Sequence, residues 1–79
     1  MSGSTTLNTV LAGEHVLVTR INTGGSGSKR LLDLGLVPGT RVEVVRRSPL
    51  GDPVAYNIRG AVIALRQEES SQVLVNKIL

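Results

Sequence analysis

Cysteine is absent from the sequence, and so are phenylalanine and tryptophan. Without cysteine there is no disulfide framework and no thiolate metal site. That fits a reducing compartment. Tyr56 is the only aromatic residue and His15 the only histidine. Single-strand nucleic-acid binders stack bases on aromatic platforms, and proline-peptide grooves are aromatic-lined. One tyrosine builds neither, so recognition must be aliphatic or electrostatic. One histidine cannot supply a two-histidine, one-carboxylate ferrous site. A structural zinc site needs four ligands, mostly nitrogen or sulfur, which are missing. No apolar run approaches the roughly 20 residues that span a bilayer. The stretch Met1-Ser2-Gly3-Ser4-Thr5-Thr6 has neither a positive start nor an apolar core, so no signal peptide is expected. A cytoplasmic setting is the expectation.

What is present describes a small single domain. The 79 residues are 41% hydrophobic, enough for a core, although a chain this short buries only about 60% of its unfolded surface. The net charge of +3 favours an acidic partner. The basic residues are scattered, however, and only Lys29-Arg30 and Arg46-Arg47 are adjacent. They read as solubilising charge on strand exteriors, and no nucleic-acid partner is expected. No nucleophile-elbow pattern is present. His15 reads as a surface strand residue, and Glu68-Glu69 as a solvated face. No cofactor is expected within one chain. The metal readings left open are a weak oxygen-only site from Asp33, Asp52 or Glu43, or a divalent site shared between subunits through His15.

The most informative stretch is Ser28-Lys29-Arg30-Leu31-Leu32-Asp33-Leu34-Gly35-Leu36-Val37-Pro38-Gly39. It predicts a short helix with a marked stop. Leu31, Leu32 and Leu34 are read as its apolar face, opposite Lys29, Arg30 and Asp33. Ser28 suits the N-cap. Gly35 suits the left-handed residue after the helix, with Leu36 folding back on Leu31. Pro38-Gly39 fits the centre of a type II turn. A helix this short needs tertiary support, because nucleation is costly.

The rest of the chain reads as strands. Residues 1–6 are expected to fray. Leu7, Val10 and Leu11 predict a helical turn plugging one end of the core. His15 to Ile21 predicts a strand with Val16 and Val18 on one side and Leu17, Thr19 and Ile21 on the other. Asn22 to Ser28 is glycine- and serine-rich and is read as a reversal. Neither phosphate-cradle glycine pattern can be written through Gly24, Gly25 and Gly27. Arg41 to Arg47 is the clearest strand, with a bulge expected at Val45. Val54 to Arg59 returns antiparallel to it, with Val54, Tyr56 and Ile58 sharing a face. Ala61 to Leu65 reads as a buried strand or tight crossing, Arg66 to Gln72 as one helical turn, and Val73 to Leu79 as a last strand. Short strands with tight turns predict a mainly β fold: a small SH3-like β-barrel with two short helical segments, closed or nearly so.

Lys29 to Gly39, Val42 to Arg47, Ser48 to Val54, Arg59-Gly60 and Ile63 to Arg66 together resemble the FeoA family, from about residue 7 onward. The resemblance implies one SH3-like domain over residues 7–79. It implies a cytoplasmic accessory of bacterial ferrous iron uptake with no enzymatic activity. The implied partner is the FeoB transporter, a membrane protein with a cytoplasmic GTP-binding domain, so any membrane association is peripheral and through that partner. The preferred reading is a protein-interaction module that docks on and regulates FeoB. The alternative is a direct transition-metal-binding or regulatory domain, related to the SH3-like domain of iron-dependent repressors. The contact surface is expected at the helix and its exit: Lys29, Arg30, Leu34, Leu36 and Pro38.

Overall fold

Alternating apolar residues decide which face of each strand is buried. The structure, a computed structural model, describes residues 5–22 and 28–78. The strands are β1 (Thr5–Thr6), β2 (His15–Ile21), β3 (Arg41–Arg47), β4 (Val54–Ile58), β5 (Ala61–Leu65) and β6 (Val73–Lys77). They form one sheet in the order β1-β6-β2-β3-β4-β5, antiparallel at every junction. Among the described residues β1 and β5 do not pair, so the ladder curls without closing. The helices are α1 (Ser28–Asp33) and α2 (Gln67–Ser70), with a 3-10 turn at Leu7–Thr9. Thr5 and Thr6, expected to fray, instead pair with Val75 and Leu74.

The core is aliphatic around one ring. Val16, Val18, Val42, Val44, Val54, Ile58, Leu65, Val73 and Val75 line it from the strands, and Tyr56 is fully buried among them. Leu7 and Val10 plug it from the 3-10 turn, whereas Leu11 is exposed. Burial holds the Tyr56 hydroxyl above its ordinary pKa, against a hydrogen bond with Ser70 that pulls it down. Among the described residues Ser70 is the buried polar one.

Two register shifts shape the strands. Between Val44 and Arg46 the pairing of β3 with β4 slips by one residue, the bulge expected at Val45. Between Val18 and Arg20 the pairing of β2 with β6 slips as well. This second shift carries Ile21 onto the buried side with Val16 and Val18. Simple alternation along β2 puts it on the opposite side. Alternation counts residues, and a bulge adds one without turning the face.

Three ties fix the loops. Asp52, in the β3–β4 connection, accepts the Gln67 N–H at the start of α2 at 2.8 Å. Glu69 accepts the Arg66 N–H at 3.1 Å, the backward half of a capping box. Gly39 N–H donates to Val18 O and Val18 N–H donates to Thr40 O, at 2.8 and 2.9 Å, which returns the chain from α1 to β2.

Candidate docking surface

The end of α1 is built as the sequence suggests. Gly35 has φ +98°. Its N–H donates to Leu32 O at 3.0 Å, and Leu36 N–H donates to Leu31 O at 3.1 Å. This double bond pattern is the Schellman stop. Leu31 and Leu36 are both fully buried in the core. Thr40 Oγ1 donates to Gly35 O at 2.8 Å, beside the Val37 N–H that donates to the same carbonyl at 2.9 Å. Gly39 has φ +91°, and Thr40 N–H donates to Val37 O at 3.0 Å, as a type II turn requires. The Cδ of Arg59 lies 2.6 Å from where a Cβ on residue 35 would sit. Gly35 therefore supplies both the backbone conformation and the room for Arg59. Ser28 is the first helical residue rather than the cap, and residues 23–27 of the glycine-serine segment lie outside the described residues.

This stop reassigns the leucines. Leu36, expected on the contact surface, is in the core, and Leu34 is half-buried against the core. Leu32, read as part of the helix's apolar face, is 45% exposed. A helix turns about 100° per residue, and of the neighbours Leu31 and Leu32 only Leu31 is turned into the core. Lys29, Arg30 and Pro38 are exposed, as expected, and Val37 is exposed beside Pro38. The outer side of α1 and its exit thus presents Lys29, Arg30, Leu32, Val37 and Pro38.

Charge around this surface is unevenly matched. Arg30 forms an ion pair with Glu69 that ties α1 to α2, so Glu69 is a strut where a solvated face was expected. Arg30, Ala64, Pro53 and Arg66 line one hollow together with α2, which makes the outer side of α1 continuous with that of β5. On the far side of the exit, Pro38, Arg41 and Arg59 line another. Neither Arg41 nor Arg59 has a carboxylate partner among the described residues. Leu32 and Val37 were missed as residues of this surface, and Arg59, read as exterior charge, was not placed beside it. The 100° spacing was the available signal for Leu32; nothing local marked the other two.

Metal chemistry is poorly served. Among the described residues no three histidine or acidic side chains come together as a metal would require. His15 faces Glu43 across the β2–β3 pair with Nε2 4.0 Å from the carboxylate. Glu14 is used otherwise: it accepts the Leu11 N–H at 3.0 Å and lies 3.4 Å from Lys77. The Leu11 hydrogen bond chiefly holds its carboxyl below the ordinary value.

The model of the FeoA domain matches residues 5–77. The chain belongs to the FeoA family. Its mainly β, SH3-like architecture is the family's. The NMR structure of an FeoA-like protein from Clostridium acetobutylicum superposes with a TM-score of 0.93 at 32% identity, covering 100% of this chain and 92% of that one. The crystal structure of Stenotrophomonas maltophilia FeoA, an SH3 domain protein complexed with zinc, gives 0.80 at 27% identity, covering 90% and 88%. A Porphyromonas gingivalis protein, an Fe(2+) transport protein A/Fe(2+) transporter FeoB fusion, is 33% identical over 72 residues. The match takes in 91% of this chain and 8% of the fusion protein's length. The donor set of this FeoA chain does not fit a zinc site like a structural one within a single subunit.

Proposed function

We propose that this FeoA domain is a non-enzymatic accessory of ferrous iron import that docks on the cytoplasmic part of a FeoB-type transporter and regulates it. The observation that carries this reading is the Porphyromonas gingivalis fusion, in which a domain 33% identical to this chain shares one polypeptide with a FeoB transporter. Fusion of two domains supports their working together when separate. The docking surface is the outer side of α1 and its exit, where Lys29, Arg30 and Pro38 frame the exposed Leu32 and Val37. Apolar side chains rimmed by charge suit an interface centre. Iron is cargo in this reading, and the domain acts through its surface.

The test is retention of the chain by a purified FeoB transporter, with and without ferrous iron and guanine nucleotide. Retention of the native chain is expected, with Leu32→Asp weakening it about tenfold, a loss of roughly 1.4 kcal/mol, while the fold stays intact. Failure of the native chain to bind under every condition would remove the docking role. Equal retention of Leu32→Asp would move the surface elsewhere.

A further inference from the structure

We infer that the outer edge of β5 is a second recognition element, which accepts an extended peptide segment with an apolar middle and a carboxylate near one end. It rests on the FeoB reading only for the partner's identity.

The register fixes the geometry. Ile58 pairs with Ala61 across the two-residue turn Arg59-Gly60, whose φ values of 54° and 91° are both positive, as in a type I′ turn. The pair closing such a turn exchanges its backbone hydrogen bonds, and bonded pairs then alternate along the ladder. Ala61, Ile63 and Leu65 therefore bond to β4, while the N–H and C=O groups of Val62 and Ala64 point away from it. Among the described residues β5 is the last strand of the sheet and pairs with β4 alone, and no other backbone hydrogen bond among them reaches Val62 or Ala64. The side chains are unfinished too: Val62 is 64% exposed, and Ala61, on the same face as the buried Leu65, is exposed. Edges of this kind are usually blunted by a charge, a proline or a bulge. Ala61-Val62-Ile63-Ala64-Leu65 has none.

The charges choose the occupant. A second copy could pair antiparallel through all these groups only with Val62 opposite Ala64 of the other copy. That register sets Arg66 of each copy against the Arg59-Gly60 turn of the other. Arg59 has no carboxylate partner, and Arg66 shares only Asp52, at 3.7 Å. Like charges would meet at both ends. A foreign strand with a carboxylate opposite Arg66, which lines a hollow with the edge residue Ala64, turns this repulsion into attraction, and addition to a sheet edge is an established mode of peptide recognition.

The test is amide hydrogen exchange by NMR on the intact chain, alone and with two probes: the FeoB transporter, and a blocked Asp-Val-Thr-Val-Thr-Asp peptide beside a control with lysine at both ends. In the free chain, Val62 and Ala64 should exchange fast and Ile63 and Leu65 slowly. Both the transporter and the acidic peptide should protect Val62 and Ala64 about tenfold or more, and the lysine peptide should not. Val62→Pro removes an outward N–H and no internal bond, so it should fold and weaken peptide binding about tenfold. If that variant does not fold, exchange in the native chain still decides. A transporter complex leaving Val62 and Ala64 unprotected would overturn the inference and spare the docking role. Failure of the transporter to bind, with the acidic peptide still protecting the edge, would do the reverse. Slow exchange at Val62 and Ala64 in a concentration-dependent dimer, or no protection by the acidic peptide, would overturn it.

Discussion

Strands β4 and β5 are two arms of one hairpin, paired residue for residue, yet they have opposite fates. β4 reads Val-Ala-Tyr-Asn-Ile; its Val54, Tyr56 and Ile58 are 4%, 0% and 1% exposed. β5 reads Ala-Val-Ile-Ala-Leu, more apolar throughout, yet only Leu65 is buried. Composition would have assigned the deeper position to β5. The difference is neighbours: β4 lies between β3 and β5, while β5 has a strand on one side only. Burial is conferred by what packs on both flanks, and an apolar strand left at an edge is better explained by a visitor than by the core.

The strongest test of that contrast is to damage the covered side. Leu36→Asp puts a carboxylate into a fully buried position and should cost about 4 kcal/mol or more, most of what a domain this size has. No folded protein is expected by circular dichroism. A cooperative melt near that of the native chain would mean that Leu36 is not core. Tyr56→Ala follows, at about 3–5 kcal/mol in chemical denaturation. Tyr56 also makes stability depend on pH. Its folded pKa is raised, chiefly by burial, so folding favours the protonated form. The stabilisation is complete below the unfolded value of about 10 and is lost as pH rises through the higher folded value. Denaturation midpoints should fall across that alkaline range in the native chain and fall less in Tyr56→Phe.

Gly35→Ala is intermediate. A Cβ there meets both a positive φ and the Arg59 side chain at 2.6 Å, so a loss of about 1 kcal/mol or more is expected. Because the Arg59 side chain can swing aside, the backbone should supply most of the loss. The comparison variant Arg59→Ala/Gly35→Ala separates the two: if the double variant regains nearly everything, crowding rather than φ is the reason for glycine.

The parts legible in the sequence are those whose cause is local. β2 and β3 begin and end where alternation said, Val45 bulges where alternation breaks, and Gly35, Pro38 and Gly39 carry their conformations in their own chemistry. The misreadings share another cause. Ile21 turned inward because of a shift in its pairing with β6, which no property of β2 announces. Leu32 and Leu36 exchanged roles because a six-residue helix is too short for a pattern, and the fold-back after Gly35 supplies the second core leucine. The outward face of β5 was unreadable for the reason its burial was overestimated: strand order along a sheet is a property of the whole chain. The proposed docking surface was half legible, since Lys29 and Arg30 follow from helix geometry and Pro38 from the turn after it, whereas Arg59 reaches its margin from a turn distant in sequence.

The smallest expected effect isolates the hairpin contrast best. Val54→Thr and Val62→Thr make the same chemical change in paired strands, replacing a methyl with a hydroxyl of similar size. At Val54, 4% exposed, the hydroxyl loses water, and the change should cost about 1–3 kcal/mol. At Val62, 64% exposed, the hydroxyl stays hydrated, the β-branched shape is kept, and the change should stay within about 0.5 kcal/mol. A large loss at Val62 in the isolated chain would mean that something already covers this edge, such as a second copy at the concentration of the experiment. Repeating the Val62→Thr melt over a hundredfold dilution separates that case from a misjudged strand: loss that disappears on dilution belongs to an association, and loss that persists belongs to the fold.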